Sequence, residues 1–242
     1  MTHGATARRR TPCGLEKRWG TTIRRVEWPL LNNLDDELRA RVLKAAVRRT
    51  FKRNEVVFHE GDPGDTLHLV AKGHVAIRVT TPLGERATLT VLGPGEAFGE
   101  LAILAEDTIR TASAVAVEGA ETFALHRRDF NDIRRTAPGV ERLLIDALTA
   151  RVGRLTGHLI EALYEPVEVR LARRLLALAE SYPPDGGAVT LPLTQEDLAS
   201  MAGTTRPTAN RILKDLEDSG VIAIGRGRIE ITDAVALERR AR

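Results

Sequence analysis

Hydrophobic and polar positions change rhythm along this chain, and each change predicts a different element. Between residues 30 and 48, Leu30, Leu31, Leu34, Leu38, Val42 and Ala46 recur at spacings of one, three and four, with Asp35 and Asp36 near the start. That pattern predicts one or two short amphipathic helices. From 51 to 126 the rhythm shortens. Apolar, β-prone runs at 56–58, 67–70, 75–79, 87–91, 112–117 and 121–125 alternate with turns at Gly61-Asp62-Pro63-Gly64, Lys72-Gly73, Leu83-Gly84 and Gly93-Pro94-Gly95. Short strands at such spacing predict an all-β barrel or jelly roll.

The helical period returns over 128–163. Ile145, Leu148, Val152, Leu155, Leu159 and Ala162 alternate spacings of three and four. This is a narrow a/d seam, along which a helix pairs with another. A partner inside the same chain satisfies it, as does a twin helix in a homodimer. The twin is favoured, because a long helix between two domains has few other surfaces to bury against. Pro166 interrupts this helix or opens the next, and is a natural hinge. A further helix is predicted over 167–181 from Val169, Leu171, Ala172, Leu175, Leu176 and Leu178, before the turn Pro183-Pro184-Asp185-Gly186-Gly187.

Residues 193–219 carry the most specific local pattern. Leu198 and Ala199 sit on a first short helix that Ala202-Gly203 close. Two helices crossing within one turn need small residues where their backbones meet, and Gly203 tolerates positive φ. Thr205 can cap a second helix, with Pro207 in its first turn, where N–H groups lack intrahelical partners. Ala209, Ile212, Leu213 and Leu216 give this helix a buried face, and Arg206, Thr208, Asn210, Arg211 and Lys214 take mostly other faces. The runs 221–224 and 228–231, joined by Gly225-Arg226-Gly227, predict a hairpin with a basic tip. Helix-turn-helix and wing in this order predict a DNA-binding winged helix. Arginine bonds guanine O6 and N7 with two donors, so Arg211 is the first choice for a base contact. Arg206 and Thr208 read bases or phosphates, Lys214 a phosphate or solvent, and Arg226 marks the wing tip.

Composition narrows the class. At 242 residues, 43% hydrophobic and 29% charged, the chain fits a soluble protein of two modest domains. No apolar run approaches the roughly 20 residues of a membrane-spanning helix. Arg8, Arg9 and Arg10 are followed by no apolar stretch, so no secretory or twin-arginine signal is expected and a cytoplasmic location fits. Residues 1–25 hold seven Lys/Arg against Glu16 alone and read as a flexible basic arm, either a plain tail or a DNA-touching one. Residues 165–242 balance eleven Lys/Arg with twelve Asp/Glu, so DNA binding rests on where arginines sit, not on their number. Cys13 is the single cysteine, which excludes an iron–sulfur site. His59, His68 and His74 show no pairing that suggests haem ligands, and no metal site is expected. No nucleophile–base pair or triphosphate loop points to an enzyme.

The chain resembles the cyclic-AMP receptor protein/fumarate–nitrate regulator (Crp/Fnr) superfamily over about residues 28–232. The resemblance is carried by Gly61-Asp62-Pro63-Gly64-Asp65, Phe98-Gly99-Glu100-Leu101-Ala102, Arg110-Thr111-Ala112, and Arg206 to Arg211 with its Ile212-Leu213-Lys214-Asp215-Leu216-Glu217 extension. It implies an α+β protein of two domains: a β-roll (jelly roll) of the cyclic-nucleotide-binding kind, a long dimerisation helix, and a winged helix-turn-helix. The corresponding divisions are a basic arm 1–27, a sensor domain 28–137, the dimer helix and hinge 138–165, and the DNA-binding domain 166–242. RNA polymerase is an expected further partner.

The middle segments resemble the family's phosphate-binding cassette. A cyclic nucleotide offers one phosphate charge, a ribose 2′-hydroxyl and a base. The resemblance assigns Gly99 to close approach, Glu100 to the ribose, the backbone near Leu101 and Ala102 to phosphate oxygens, and Arg110 and Thr111 to the phosphate. The two adjacent hydroxyl residues that hold the base in the cyclic-AMP receptor fall here on Leu155 and Thr156, so one hydroxyl is absent. A neutral hydrogen bond is worth about 0.5–1.5 kcal/mol, so the adenine preference weakens without vanishing. Cyclic AMP is expected ahead of cyclic GMP. A same-fold regulator that binds DNA without a cyclic nucleotide, or senses another ligand, is one alternative, and a signalling module without DNA binding is another. Glu100 and Arg110 can also satisfy each other across a loop with no ligand. Pro207 stands where the receptor's recognition motif has glutamate, removing a carboxylate that accepts from cytosine N4.

Overall fold

A computed structural model describes residues 26–82, 84–104, 108–182 and 188–242. Residues 1–25 of the basic arm, Leu83 of one predicted turn and the 183–187 turn lie outside the described residues. Two antiparallel four-stranded sheets carry the first half of the chain. One has the order β1 (Val47–Phe51), β8 (Ala120–His126), β3 (Thr66–Lys72), β6 (Ala97–Phe98); the other runs β2 (Val56–Phe58), β7 (Ser113–Ala116), β4 (Val75–Thr80), β5 (Arg86–Leu92). Val70, Val75, Leu92, Phe98, Ala114, Ala116 and Ala120 pack between them with Phe51, Phe58 and Ile77. This is the predicted roll, with a short helix, α2 (Leu101–Leu104), after β6.

The helical rhythm of residues 30–48 resolves into a 3-10 turn, Pro29–Leu31, and a helix, α1 (Asp36–Ala45). Asp35 caps α1, its carboxylate accepting from the Leu38 N–H at 2.7 Å. The helix stops short of the expected end, and β1 begins at Val47. Ladder pairing explains the change: Val47 lies opposite Ala124 and Phe51 opposite Ala120, and β-branched Val47 and Thr50 suit a pleated surface. Sheet partners overrode the local rhythm.

The two sheets are covered by different neighbours. Leu67, Leu69, Phe123 and Leu125 of the first are buried against Trp28, α1, α3 (Arg127–Thr136) and the start of α4 (Glu141–Tyr164). Trp28 also donates its indole N–H to the Val70 carbonyl at 2.9 Å. Strand β3 is therefore buried on both faces, which is why its apolar run does not alternate. The predicted helical stretch 128–163 is broken at Ala137, and a 3-10 turn, Pro138–Val140, leads into α4. Proline's missing N–H and the restriction it places on the preceding residue account for the break.

After Glu165 and Pro166 come α5 (Val167–Ala179), β9 (Val189–Leu191), α6 (Gln195–Met201), α7 (Arg206–Asp218), the hairpin β10 (Ile222–Gly225) and β11 (Arg228–Ile231), and α8 (Ala234–Arg240). The predicted helix 167–181 thus ends at Ala179, and the first wing strand sits one residue later than expected. Strand β9, which completes the wing sheet beside β11, and α8 were not predicted. Their runs are short enough that only docking reveals them. Leu171, Leu175, Leu198, Leu213, Ile229 and Leu237 are fully buried in one core with Ala199, Ala209 and Ile212. Gly203 has φ +61° and turns α6 into α7. The two-domain α+β class expected from the sequence is the observed one. Among the described residues no helix is long and apolar enough to cross a membrane.

Candidate functional site

A cavity of about 280 Å³ opens between the roll and α4. Six of the seven residues predicted to bind ligand line it: Gly99, Glu100, Leu101, Ala102, Arg110 and Thr111. Thr156 does not. It is exposed on α4, while its neighbour Leu155 faces the cavity with Arg151, Arg154 and His158.

The roll fixes Arg110 tightly. Its side chain is buried, with Nη1 donating to the Thr66 carbonyl at 2.9 Å and Nη2 to the Thr66 hydroxyl at 2.6 Å. The guanidinium carbon lies 3.9 Å from the centre of the Phe58 ring, a cation–π contact. Burial pulls its pKa below the ordinary arginine value, against the opposing pull of Asp65 and Asp62. Its Nε is buried without a partner among the described residues. Gly99 is required beside it. With φ +79°, a Cβ there would stand 2.7 Å from Arg110 Nη1 and 2.8 Å from the Thr66 carbonyl oxygen.

Glu100 and Arg110 form no direct ion pair, though the Glu100 charge favours the charged guanidinium. Glu100, buried, is instead paired with Arg151, which reaches across from α4. The cavity's one buried acid and its buried cation thus stay separate, and the acid is tied to the helix. The N–H of Ala102 is donated to the Gly99 carbonyl at 3.1 Å, which closes the turn that follows Phe98. Arg127 holds this loop from behind, donating to the Ala102 carbonyl at 2.6 Å, to the Thr108 hydroxyl at 3.0 Å and to the Gly64 carbonyl. Sequence reasoning missed Phe58, Thr66, Arg127 and Arg151. Only Arg151 left a trace: it precedes Leu155 by four residues, one turn along the same helix face.

His68 packs behind Phe98, which lines the cavity. Its ring stacks on Phe98 at 5.0 Å and lies between the hydroxyls of Thr66 (3.2 Å) and Thr122 (3.0 Å). Burial, with Arg110 nearby, pushes its pKa down to about 3. Among the described residues no group of His, Cys, Asp and Glu is arranged to hold a metal ion.

At the other end, Thr205 caps α7, accepting from the Thr208 N–H at 3.4 Å, and the two hydroxyls meet at 3.0 Å. Arg206, Arg211, Lys214 and Arg226 are exposed. Arg211 is held by surface acids, 3.1 Å from Glu168 and 3.6 Å from Asp215. Lys214 contacts Glu217 at 2.9 Å and Asp218 at 3.2 Å. Thr208 and Asn210 are only half-exposed, and the Asn210 Oδ1 is buried without a partner among the described residues. Arg206 also borders a cleft with Arg228, Gly225 and Gly227 of the wing, so helix and wing present donors on one face.

A roll with a cavity, joined by a long helix to a winged helix with exposed arginines, defines a DNA-binding transcription regulator. Two family models match the chain: a cyclic nucleotide-binding domain over residues 48–137 and a Crp-like helix-turn-helix domain over 169–240. The cyclic AMP receptor protein of Thermus thermophilus is 36% identical over 213 residues, covering 88% of this chain and 96% of that one. A CRP-like cAMP-activated global transcriptional regulator of Mycobacterium tuberculosis is 34% identical over 195 residues, covering 79% and 87%. Among solved structures, a CRP-family transcriptional regulator from Thermus thermophilus superposes with a TM-score of 0.68 at 26% identity, covering 80% of this chain and 96% of that one. The chain belongs to the Crp/Fnr superfamily of transcription regulators, and these relatives are regulators, not enzymes.

Proposed function

We propose that the protein is a homodimeric regulator whose affinity for a palindromic operator is set by a cyclic nucleotide, cyclic AMP ahead of cyclic GMP. The observation that carries this reading is the convergence of Gly99, Glu100, Arg110 and Thr111 on one cavity beneath α4. Arg110 and Thr111 take the phosphate, with Leu101 and Ala102 as its floor. Glu100 takes the ribose hydroxyl. Thr156 faces away from its own cavity and reaches a base only across a dimer seam. The names of the Thermus and Mycobacterium relatives, a cyclic AMP receptor and a cAMP-activated regulator, support cyclic AMP.

The seam supports the homodimer. Ile145, Val152, Leu155 and Leu159 are each more than half exposed in the single chain, and Leu148 and Ala162 continue their line. Burying them against a twin returns apolar area to a dry surface. The hinge at Pro166 then sets two copies of α7 about 34 Å apart, one DNA turn. Arg211 reads guanine, Arg206, Thr208 and Asn210 flank it, and Lys214 and Arg226 meet phosphates. The division is sensor 28–137, dimer helix and hinge 138–165, and DNA-binding domain 166–242. The location is the cytoplasm, and RNA polymerase is a further partner. Ligand shifts the equilibrium only as far as it binds the two dimer forms with different affinity. Calorimetric titration with cyclic AMP and then cyclic GMP tests the sensor. Saturable binding that is lost in Arg110→Ala is the expected result; no binding of either, checked by thermal shift, removes the nucleotide from the reading.

A further inference from the structure

The β4–β5 ribbon has two working faces. Ile77, Leu89, Thr90 and Leu92 line the cavity. Arg78 and Thr88 turn the opposite way and meet Asp197 on the first turn of α6, with Arg78 Nη2 at 3.0 Å and the Thr88 hydroxyl donating at 2.8 Å. Thr88 and Thr90 are two residues apart, so in a regular strand they would share a face. A bulge separates them: Ile77 pairs with Thr90 and Arg78 with Thr88, leaving Leu89 as the extra residue. The ribbon can therefore touch ligand on one side and the DNA-binding domain on the other.

Asp197 serves two structures at once. Its carboxylate accepts from the Thr194 N–H at 3.1 Å while its own N–H is donated to the Thr194 hydroxyl at 3.1 Å, forming the capping box that starts α6, and the Thr194 hydroxyl donates to the carboxylate at 2.7 Å. The same carboxylate holds Arg78 and Thr88. Burial works to raise its pKa, yet the bonds from Thr194 and Thr88, with the Arg78 charge, hold it below the ordinary carboxylate value. At the other end of the ribbon His74 stacks on Tyr182, ring centres 3.7 Å apart, and its Nε2 lies 2.9 Å from the Ser181 hydroxyl. Ala76 and Val91 are buried between these two points in the core of the DNA-binding domain. The outer face of this sheet is thus covered by the very domain it would regulate.

We infer that Asp197 is the residue through which ligand in the cavity sets the position of the helix-turn-helix within a single protomer. A ligand that displaces Ile77, Leu89 or Thr90 displaces Arg78 and Thr88 on the reverse face of the same ribbon. The Arg78–Thr88–Asp197 contact is then kept or broken as a unit. This coupling rests on the cavity being the nucleotide site proposed above. It needs no movement of the dimer seam, so it works alongside the rearrangement of α4.

The test uses full-length wild type and the variants Arg78→Gln, Thr88→Val, Asp197→Asn and Arg78→Gln/Asp197→Asn. Neither Arg78 nor Thr88 lines the cavity or belongs to the DNA-reading set. Nucleotide affinity is measured by calorimetry, and operator affinity with and without saturating cyclic AMP. In Arg78→Gln and Thr88→Val nucleotide affinity stays near wild type. The ratio of operator affinities with and without nucleotide, about 5–150 in a typical allosteric protein, falls toward one. Melting temperatures of Arg78→Gln, Asp197→Asn and their double variant are non-additive, as for groups that touch. Wild-type ratios in Arg78→Gln and Thr88→Val, or additive melting shifts, overturn the inference while leaving the nucleotide reading intact. Wild-type protein that binds neither cyclic AMP nor cyclic GMP overturns the reading first, and the coupling with it.

Discussion

Arg110 and Arg211 carry the two ends of the proposed function in opposite surroundings. Arg110 is buried in the roll, gripped twice by Thr66 and laid over Phe58. The Arg211 side chain is 61% exposed and held by surface acids. A buried guanidinium that loses its partners leaves unsatisfied groups behind, whereas an exposed ion pair contributes little. The ligand end is therefore built into the fold, and the DNA end is mounted on it. Changes at the first should cost binding and stability together. Changes at the second should cost binding alone.

Arg110→Ala sets the upper limit. Cyclic-nucleotide binding is expected to vanish in calorimetry, and stability to fall by about 2 kcal/mol in denaturant melts. Full stability in this variant would break the contrast. Next in size is Arg211→Ala. It should weaken specific operator binding by roughly 1–3 kcal/mol for each guanine that the arginine no longer reads, with melting temperature and nucleotide affinity unchanged. A footprinting titration beside a thermal melt separates the two effects. Gly99→Ala should lower nucleotide affinity about tenfold and stability by about 1 kcal/mol, because left-handed backbone and the nearby Arg110 side chain both oppose a Cβ.

A pH series sharpens the same contrast. His68 is neutral in the fold, its pKa near 3, while an unfolded histidine takes its proton near 6.5. The unfolded state therefore binds the extra proton as pH falls from about 6.5 toward 3, and the stability contributed by the neutral His68 is lost over that window. Melts from pH 7 to pH 4 should show this slope in wild type and Arg211→Ala, and a shallower one in His68→Gln. Smallest is Glu168→Gln. Its carboxyl, held low by its backbone hydrogen bond and by Arg211, competes with DNA for that arginine. Removing the charge should tighten operator binding by no more than about fivefold at low salt, with the gain fading as salt rises.

What was legible in the sequence follows the range of the forces involved. The helix-turn-helix was readable because its determinants are local: a cap at Thr205, a proline in the first turn, small residues at the crossing, a glycine at Gly203. Gly99, Glu100 and Arg110 could be grouped because they keep the spacing of the family the chain resembles, and the fold brings them to one cavity. Strand β1 was not readable, since Val47–Phe51 becomes a strand only beside β8. Nor were Thr66 and Phe58, whose roles exist only because the roll brings them to Arg110 over more than forty residues of chain.

By itself, then, the sequence determined the class of the protein and the order of its main elements, because rhythm, capping and turn chemistry act within a few residues. Only the tertiary structure decided which charges meet. It separated Glu100 from Arg110 and gave the acid to Arg151, turned Thr156 outward, and set Asp197 against Arg78 and Thr88. Those choices depend on which faces of distant strands and helices close over each other, and burial makes each pairing matter, since a charge removed from water must find its partner where the fold has put it.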